Sequence, residues 1–368
     1  MNIAYVVRNL DFYSGAAKQA YTLAKNIHSK EYKVIIINVT TVKSPNNNII
    51  NESIDSGIKI YSIYHKINSL NQFIQMYSIL RKENIKLVHI HDFIRNALIA
   101  SKCAGIKNLL KTTLYKSDDF KTLLTNKNIV KAQVNKFIIN NFIDNNIVLT
   151  DQCRESNLKV VKNKLNIIRI PNGVTIDNKI DFKRKNNNNF CTVGVVCERK
   201  GTLESIMFFY NNFAELHDSK LYVIGPKNGD IPEADIQYFN QCVELIKRLK
   251  IEKKVIFLGK VSSKKVRETM SKSKGLIFFS KFEGMPNVVL EALAQNIVPI
   301  LSPINGVSKE MINDGINGFI IDDPGRKIEI TKINNMIQEK SPYELAVNKY
   351  NVILIAERYK DVYKKIIN

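Results

Sequence analysis

The sequence predicts an α/β protein of two parallel-sheet domains, and three observations carry that reading. The chain has 368 residues, beyond the roughly 250–300 at which a single hydrophobic core stops growing. Short β-branched runs alternate with amphipathic stretches from end to end, the pattern of repeated βαβ units. One segment, DNKIDFKRKNNNN at 177–189, breaks the pattern with charge and an asparagine run that have little to bury, so it reads as a linker. The expected division is a first domain at 1–177, a linker at 178–189, a second domain at 190–345 and a closing helix at 346–368.

In the first half, strands are expected at 2–8, 33–40, 59–64, 87–91, 109–114, 146–150 and 166–170. Helical periodicity fills the gaps, most clearly at 16–29 and 70–83. In the second half the strand candidates are 190–196, 221–225, 255–259, 275–280, 297–301 and 318–321, and 343–367 reads as one or two amphipathic helices.

Hydrophobic residues make up 45% and charged residues 24% of the chain, which excludes a disordered composition. The start, MNIAYVVRN, lacks the features of a signal peptide and no apolar run approaches bilayer-spanning length, so a cytoplasmic protein is expected. The five cysteines, Cys103, Cys153, Cys191, Cys197 and Cys242, are scattered without metal-like spacing and read as reduced thiols, mostly in the core. The net charge is +21, and residues 1–180 carry 26 Lys/Arg against 12 Asp/Glu, a net of +14. Such a balance points to an anionic partner, although a Lys-, Asn- and Ile-rich composition of the genome gives the same number.

The most informative stretch is FFSKFEGMPNVVLEALAQNIVPILSPINGVSKEMINDGINGF at 278–319. A strand is expected to end near Ser280, Gly284 to permit a tight turn, and Pro286 to open a helix running to about Gln295. The free N–H groups of that helix offer a phosphate site, and Gly284, Met285, Pro286, Asn287 and Val288 form the turn and first helical turn that carry it, Pro286 itself having no N–H to donate. Glu291 lies five residues beyond Pro286, roughly 7–8 Å along the axis, within reach of a ribose hydroxyl. Glu283 stands before the turn, where its charge is expected to stabilise a cationic centre or bind hydroxyls.

Glu-Gly-x-Pro-Asn-x-x-x-Glu-Ala from Glu283, followed by Gly306-x-x-x-Glu310 and Asp314-Gly-x-Asn-Gly318, resembles the nucleotide-binding signature of the large retaining glycosyltransferase family 4, the glycosyl transferases group 1. The resemblance covers essentially the whole chain, loosely in the first domain. It implies a GT-B fold: two Rossmann-like domains facing each other across a cleft, with a C-terminal helix crossing back to the first. It implies transfer of a sugar from a nucleotide-sugar, a UDP-hexose or UDP-N-acetylhexosamine by base rate, to a cell-surface glycan or lipid-linked acceptor, with retention of configuration, no cofactor and no metal. VIGP at 223–226, with Gly225, and KVIFLGKV at 254–261, ending in Lys260 and Val261, are similar to the strands near the donor base. IPNGV at 170–174 matches the usual end of the first domain.

In GVVCERKG at 194–201 the resemblance gives Lys200 the task of neutralising the donor diphosphate, a charge that grows on the leaving group. The family's usual arginine is replaced by Val195. Arg199 is a candidate compensator, although neighbours on an extended segment point to opposite faces. At the first βα junction, NLDFYSGA, Ser14 is placed to cap a helix and Gly15 to let the backbone approach a ligand. The family's first-domain histidine is replaced by Tyr115. His89 and His91 are read as offering one residue to each side of a strand; His91 with Asp92 either lines the cleft, as a candidate catalytic group, or packs in the core. Asp118-Asp119 and Asp322-Asp323 are read as solvated loop pairs.

Residues 120–142, FKTLLTNKNIVKAQVNKFIINNF, set Lys121, Lys127, Lys131 and Lys136 among apolar residues. This is either a helix resting on an anionic membrane surface, which makes the protein peripheral at the inner face of the cytoplasmic membrane, or an ordinary core helix. No compact Arg-rich or aromatic-interleaved motif points to nucleic acid. The rival functions are a nucleotide-sugar binding protein and an epimerase of the same fold.

Overall fold

The computed structural model describes residues 1–10, 15–41, 50–64, 69–114, 117–125, 128–161, 165–177, 187–304 and 306–367. Ser14, Tyr115, Lys127 and residues 178–186 of the expected linker lie outside them. The chain forms two compact units, Met1–Gly173 with Val352–Asn368, and Val174–Asn351.

The first unit is built on eight strands: β1 (Asn2–Arg8), β2 (Lys33–Thr40), β3 (Ile50–Asp55), β4 (Ile58–Tyr64), β5 (Leu87–His91), β6 (Lys107–Thr112), β7 (Asn145–Val148) and β8 (Asn166–Arg169). Their order is β3-β4-β2-β1-β5-β6-β7-β8, parallel throughout except for the β3/β4 hairpin at the edge. Side chains alternate across β1, and both faces are buried. Ala4 and Val6 pack with Ile79, Leu98 and Ile138, from the helices Ser69–Lys82, Arg95–Cys103 and Ile129–Phe142. Ile3, Tyr5 and Val7 pack with Leu23 of Gly15–Ile27 and with Ile355, Tyr359 and Tyr363 of the C-terminal helix Val352–Ile367. A sheet covered on both faces explains the almost unbroken apolar run of β2, KVIIINVT.

The closing segment resolves into a short helix, Ser341–Leu345, one π-helical turn, Ala346–Tyr350, and Val352–Ile367. Asn351, with φ −56° and ψ 123°, breaks the helical path between them. The 120–142 segment is likewise two helices, Phe120–Leu124 and Ile129–Phe142, which corrects the expectation of one. Asn128 caps the second by accepting from the Lys131 N–H.

The second unit holds β9 (Asn189–Val193), β10 (Lys220–Ile224), β11 (Val255–Gly259), β12 (Gly275–Phe278), β13 (Val298–Leu301) and β14 (Phe319–Ile320). All are parallel, in the order β11-β10-β9-β12-β13-β14. Phe190 anchors its core, stacked on Phe213 with ring centroids 3.9 Å apart. Successive strands run outward one way from β9 and the other way from β12. The strand order therefore reverses between these two, and doubly wound sheets bind ligands at the carboxyl ends of the strands at such a point.

Candidate active site

At the β9/β12 reversal the loops leaving the two strands are locked together by close backbone approach. Gly201 has φ +63°, and a Cβ there would lie 2.1 Å from the Phe279 carbonyl oxygen. Gly225, at the end of β10, has φ +142°, and its Cβ would lie 1.9 Å from the Gly194 carbonyl oxygen. Only glycine fits either position. Residues Glu198–Lys200 form a 3₁₀ turn ending in Gly201. This overturns the expectation that Arg199 and Lys200 point to opposite faces, because the segment is coiled rather than extended.

Both cations reach one carboxylate. Lys200 Nζ lies 2.5 Å and Arg199 Nη1 3.2 Å from Glu283 Oε1, which also accepts from Ser280 Oγ at 2.7 Å. The pair is enclosed, with side-chain exposures of 18% for Lys200 and 11% for Glu283. Arg199 also donates from Nε, at 2.8 Å, and Nη2 to Glu233. Burial lowers the Arg199 pKa, but the hydrogen bond to Glu233 and the charges of Glu283 and Glu233 prevail, so it is held above its ordinary value. Two cations and two carboxylates thus balance at the mouth of the sheet, and an incoming anion has to compete with Glu283.

The rest of the predicted motif follows in the same loop. Gly284, Met285 and Pro286 are buried, and Pro286 is the N-cap of a seven-residue helix, Asn287–Leu293, that ends two residues before the expected Gln295. Asn287, Val288 and Glu291 are half-buried along it. After β11, Lys260 is exposed and Val261 half-buried. The fold thus gathers Gly225, Lys260, Val261 and the 283–291 segment at the carboxyl ends of β10, β11 and β12.

The first sheet reverses between β1 and β5, and a pocket of about 200 Å³ opens there, lined by Arg8, Ala16, His91, Asp92, Thr113 and Asp118 among others. Gly15 is the exposed first residue of the helix that supplies Ala16. Arg8 Nε pairs with Asp92 Oδ2 at 3.4 Å and Nη2 donates to the Phe93 carbonyl at 2.9 Å. Asp92 adopts φ +75°, a costly conformation for a residue with a Cβ. Its Oδ1 accepts from the Phe93 N–H.

His89 and His91 are two residues apart, so they share one strand face instead of taking opposite faces. Their ring centroids are 4.2 Å apart and both residues are buried. His91 therefore packs in the core and lines this pocket at once. Its two ring nitrogens have no hydrogen-bond partner among the described residues. Burial, then His89 and Lys111, push its pKa well down, so the imidazole is neutral.

Asp118 and Asp119 are buried, against the expectation of a solvated pair; Asp322 and Asp323 are exposed. Asp119 caps Phe120–Leu124 through the Thr122 N–H and accepts from Ser156. Asp118 accepts from the Thr113 N–H, the Thr113 hydroxyl and the Leu114 N–H. Burial and the Asp92 charge outweigh these bonds and push Asp118 up to about 7. Lys111, buried and donating to Asn172 Oδ1 at 3.0 Å, is pushed down by burial to about 7.

Residues 175–351 match the family model described as glycosyl transferases group 1. This half of the chain belongs to that family. The chain is 24% identical over 325 residues, 81% of its length and 80% of the relative's, to an Escherichia coli UDP-Gal:alpha-D-GlcNAc-diphosphoundecaprenol alpha-1,3-galactosyltransferase. It is 26% identical, over 97% of its length and 99% of the relative's, to a Campylobacter jejuni alpha-1,4-N-acetyl-D-galactosaminyltransferase acting on a PP-undecaprenol-linked GalNAc glycan. Among solved structures, Anabaena HepE in complex with UDP aligns with a TM-score of 0.73 at 16% identity, over 99% of this chain and 100% of that one. The fold is GT-B.

The paired cations Arg199 and Lys200 lie at the strand-order reversal of the family-matched domain. Sequence reasoning missed Ser280, Arg8, Lys111 and Asp118. One signal was available: Lys111 directly follows the apolar pair Leu109–Leu110 within a strand, and it is buried there.

Proposed function

We propose that this glycosyltransferase moves a hexose or N-acetylhexosamine from a UDP-sugar to a lipid-linked glycan at the inner face of the cytoplasmic membrane, with retention of configuration. The observation that carries the reading is the Lys200–Glu283–Arg199 cluster at the strand-order reversal of the second sheet. Lys200, with Arg199 taking the place of the arginine lost at Val195, neutralises the diphosphate as the glycosidic bond to phosphate breaks. This charge makes a metal unnecessary to the reaction. Glu291 binds the ribose. The backbone from Gly284 to Val288 contacts phosphate, and Gly225, Lys260 and Val261 adjoin the base.

Glu283 exchanges its cations for sugar hydroxyls when the donor arrives, and a donor-phosphate oxygen assists the incoming hydroxyl on the same face, which retains configuration. The first-domain pocket takes the acceptor: Asp92 and Asp118 accept from sugar hydroxyls, and the unpartnered nitrogens of neutral His91 donate and accept one bond each. UDP and the lipid-linked acceptor are supported by the two relatives and by the UDP complex of HepE.

The test is thermal stabilisation by UDP, GDP, ADP and their sugars, in the native chain and in Glu291→Ala, since a ligand that binds only the folded state raises its stability. A UDP-selective shift that weakens in Glu291→Ala is expected. No shift with any nucleotide would remove the donor site and with it the transferase reading.

A further inference from the structure

The helix Ile129–Phe142 has two apolar faces. One is in the first-domain core, where Ile138 and Ile139 are buried and Asn135 accepts from Arg95 at 2.8 and 3.1 Å. The other is bare: Ile129 and Val130 are each 74% exposed, Phe137 61% and Val134 42%. At roughly 100° per residue, Val130, Val134 and Phe137 fall within an arc of about 60°, and Ile129 lies about 80° outside it. Lys131 and Lys136, both exposed, project about 90° to one side and about 130° to the other side of the centre of that stripe. Residues 120–142 contain four lysines and no acidic residue. A second exposed apolar pair, Leu70 and Ile74, lies one turn apart on Ser69–Lys82, a helix on the same side of the sheet.

We infer that this outer face of Ile129–Phe142 docks on an anionic lipid surface, with the helix lying in the plane of the interface. Val130, Val134 and Phe137 enter the headgroup boundary, while Lys131 and Lys136 reach sideways along their stems to the phosphates. Charge decides between the occupants. A second copy of this helix would bring lysine against lysine with no carboxylate in the segment to pair them, and protein interfaces deplete lysine. An anionic membrane matches both the apolar stripe and its basic rim. The inference deepens the membrane-side reading above but rests on the helix surface alone, so vesicle binding and donor binding can fail separately.

The experiment is co-sedimentation of the full chain with phosphatidylglycerol/phosphatidylcholine vesicles and with pure phosphatidylcholine vesicles, at low and high salt. The variants are Val130→Ser with Phe137→Ser, and Lys131→Glu with Lys136→Glu. All four positions are exposed, so folding is preserved, and an unchanged thermal profile is the control. Binding to the anionic vesicles only, weakened by salt, is expected. Each lysine near such a surface contributes about fivefold, so the double lysine variant should lose about 25-fold or more. The apolar variant should lose binding at least tenfold even at low salt. Absence of binding to anionic vesicles at low salt overturns the inference, as does binding that neither variant weakens. A dimer in sedimentation velocity that Phe137→Ser dissolves, without vesicle binding, also overturns it in favour of self-association.

Discussion

Replacing Glu283 by Gln and Lys200 by Met should move nucleotide affinity in opposite directions. In the free protein Glu283 Oε1 holds Lys200 at 2.5 Å and Arg199 at 3.2 Å, and each bond to a charged partner is worth about 1.5–3 kcal/mol net. A diphosphate that needs the same cations must displace part of that pairing. Glu283→Gln keeps the shape and an acceptor for the cations but removes the negative charge that pairs with them. The binding free energy returned is about 1–2 kcal/mol, so UDP should bind roughly 5- to 30-fold more tightly. Lys200→Met removes one charge-assisted bond to phosphate and should weaken UDP roughly 10- to 150-fold.

Turnover should fall in both variants, because in the proposed reaction Glu283 also positions the sugar. The assay is calorimetric titration of UDP at fixed ionic strength, with ligand-free thermal unfolding to separate folding effects. If Glu283→Gln weakens UDP as much as Lys200→Met does, the pair is a structural ion pair and the competition argument is wrong.

Three further outcomes are expected. Gly201→Ala forces a Cβ into the left-handed region at φ +63° and against the Phe279 carbonyl oxygen; the cost is at least about 2 kcal/mol, seen as a fall of about 4–8 °C in the Tm of the second domain, and an unchanged Tm would contradict it. Burial and the Asp92 charge push Asp118 up to about 7 in the folded protein from an ordinary 3.8. Between these the folded state holds a proton that the unfolded chain has lost, so stability falls as pH rises from about 4 to 7, and Asp118→Asn should flatten that slope in Tm measured from pH 5 to 7.5. Lys111 has the opposite sign: burial lowers it to about 7 in the folded protein from an ordinary 10.5, so between these the unfolded chain holds the extra proton and stability rises with pH, a rise that Lys111→Met should abolish in Tm measured from about pH 7 to 10.5.

What the sequence revealed was what local patterns encode. Strands buried on both faces, such as KVIIINVT, are apolar throughout and are recognised without their neighbours. The missed strand, β3, reads INESID; as an antiparallel edge it needs few apolar residues, and its Ile54 is 73% exposed. Glu283 and Glu291 were legible because a strand, a turn and a helix within fifteen residues position them. The ability of Arg199 and Lys200 to share Glu283 was not, since it depends on a 3₁₀ turn that ends where Gly201 meets Phe279. Asp118 was hidden for the same reason: the side chains that bury it come from elements far apart in the chain, and a pair of aspartates in a loop carries no local sign of burial.

The two sheets solve one problem twice. Where strand order reverses, the crossover helices diverge to opposite faces and leave the carboxyl ends of two neighbouring strands uncovered. Polar groups are tolerated there, and loops leaving the two strands need something to hold them. In the first sheet Arg8 ends β1 and Asp92 follows β5; in the second, Lys200 follows β9 and Glu283 follows β12. The cation stands at or beyond the end of the first strand and the carboxylate beyond the strand across the reversal in both. The pairs differ in exposure: the side chains of Arg8 and Asp92 are 49% and 34% exposed, those of Lys200 and Glu283 18% and 11%. A screened pair contributes little to stability and yields easily to hydroxyls, whereas an enclosed pair holds its charge until a stronger anion displaces it. In the proposed reaction that contrast favours acceptor hydroxyls at the first reversal and the donor diphosphate at the second.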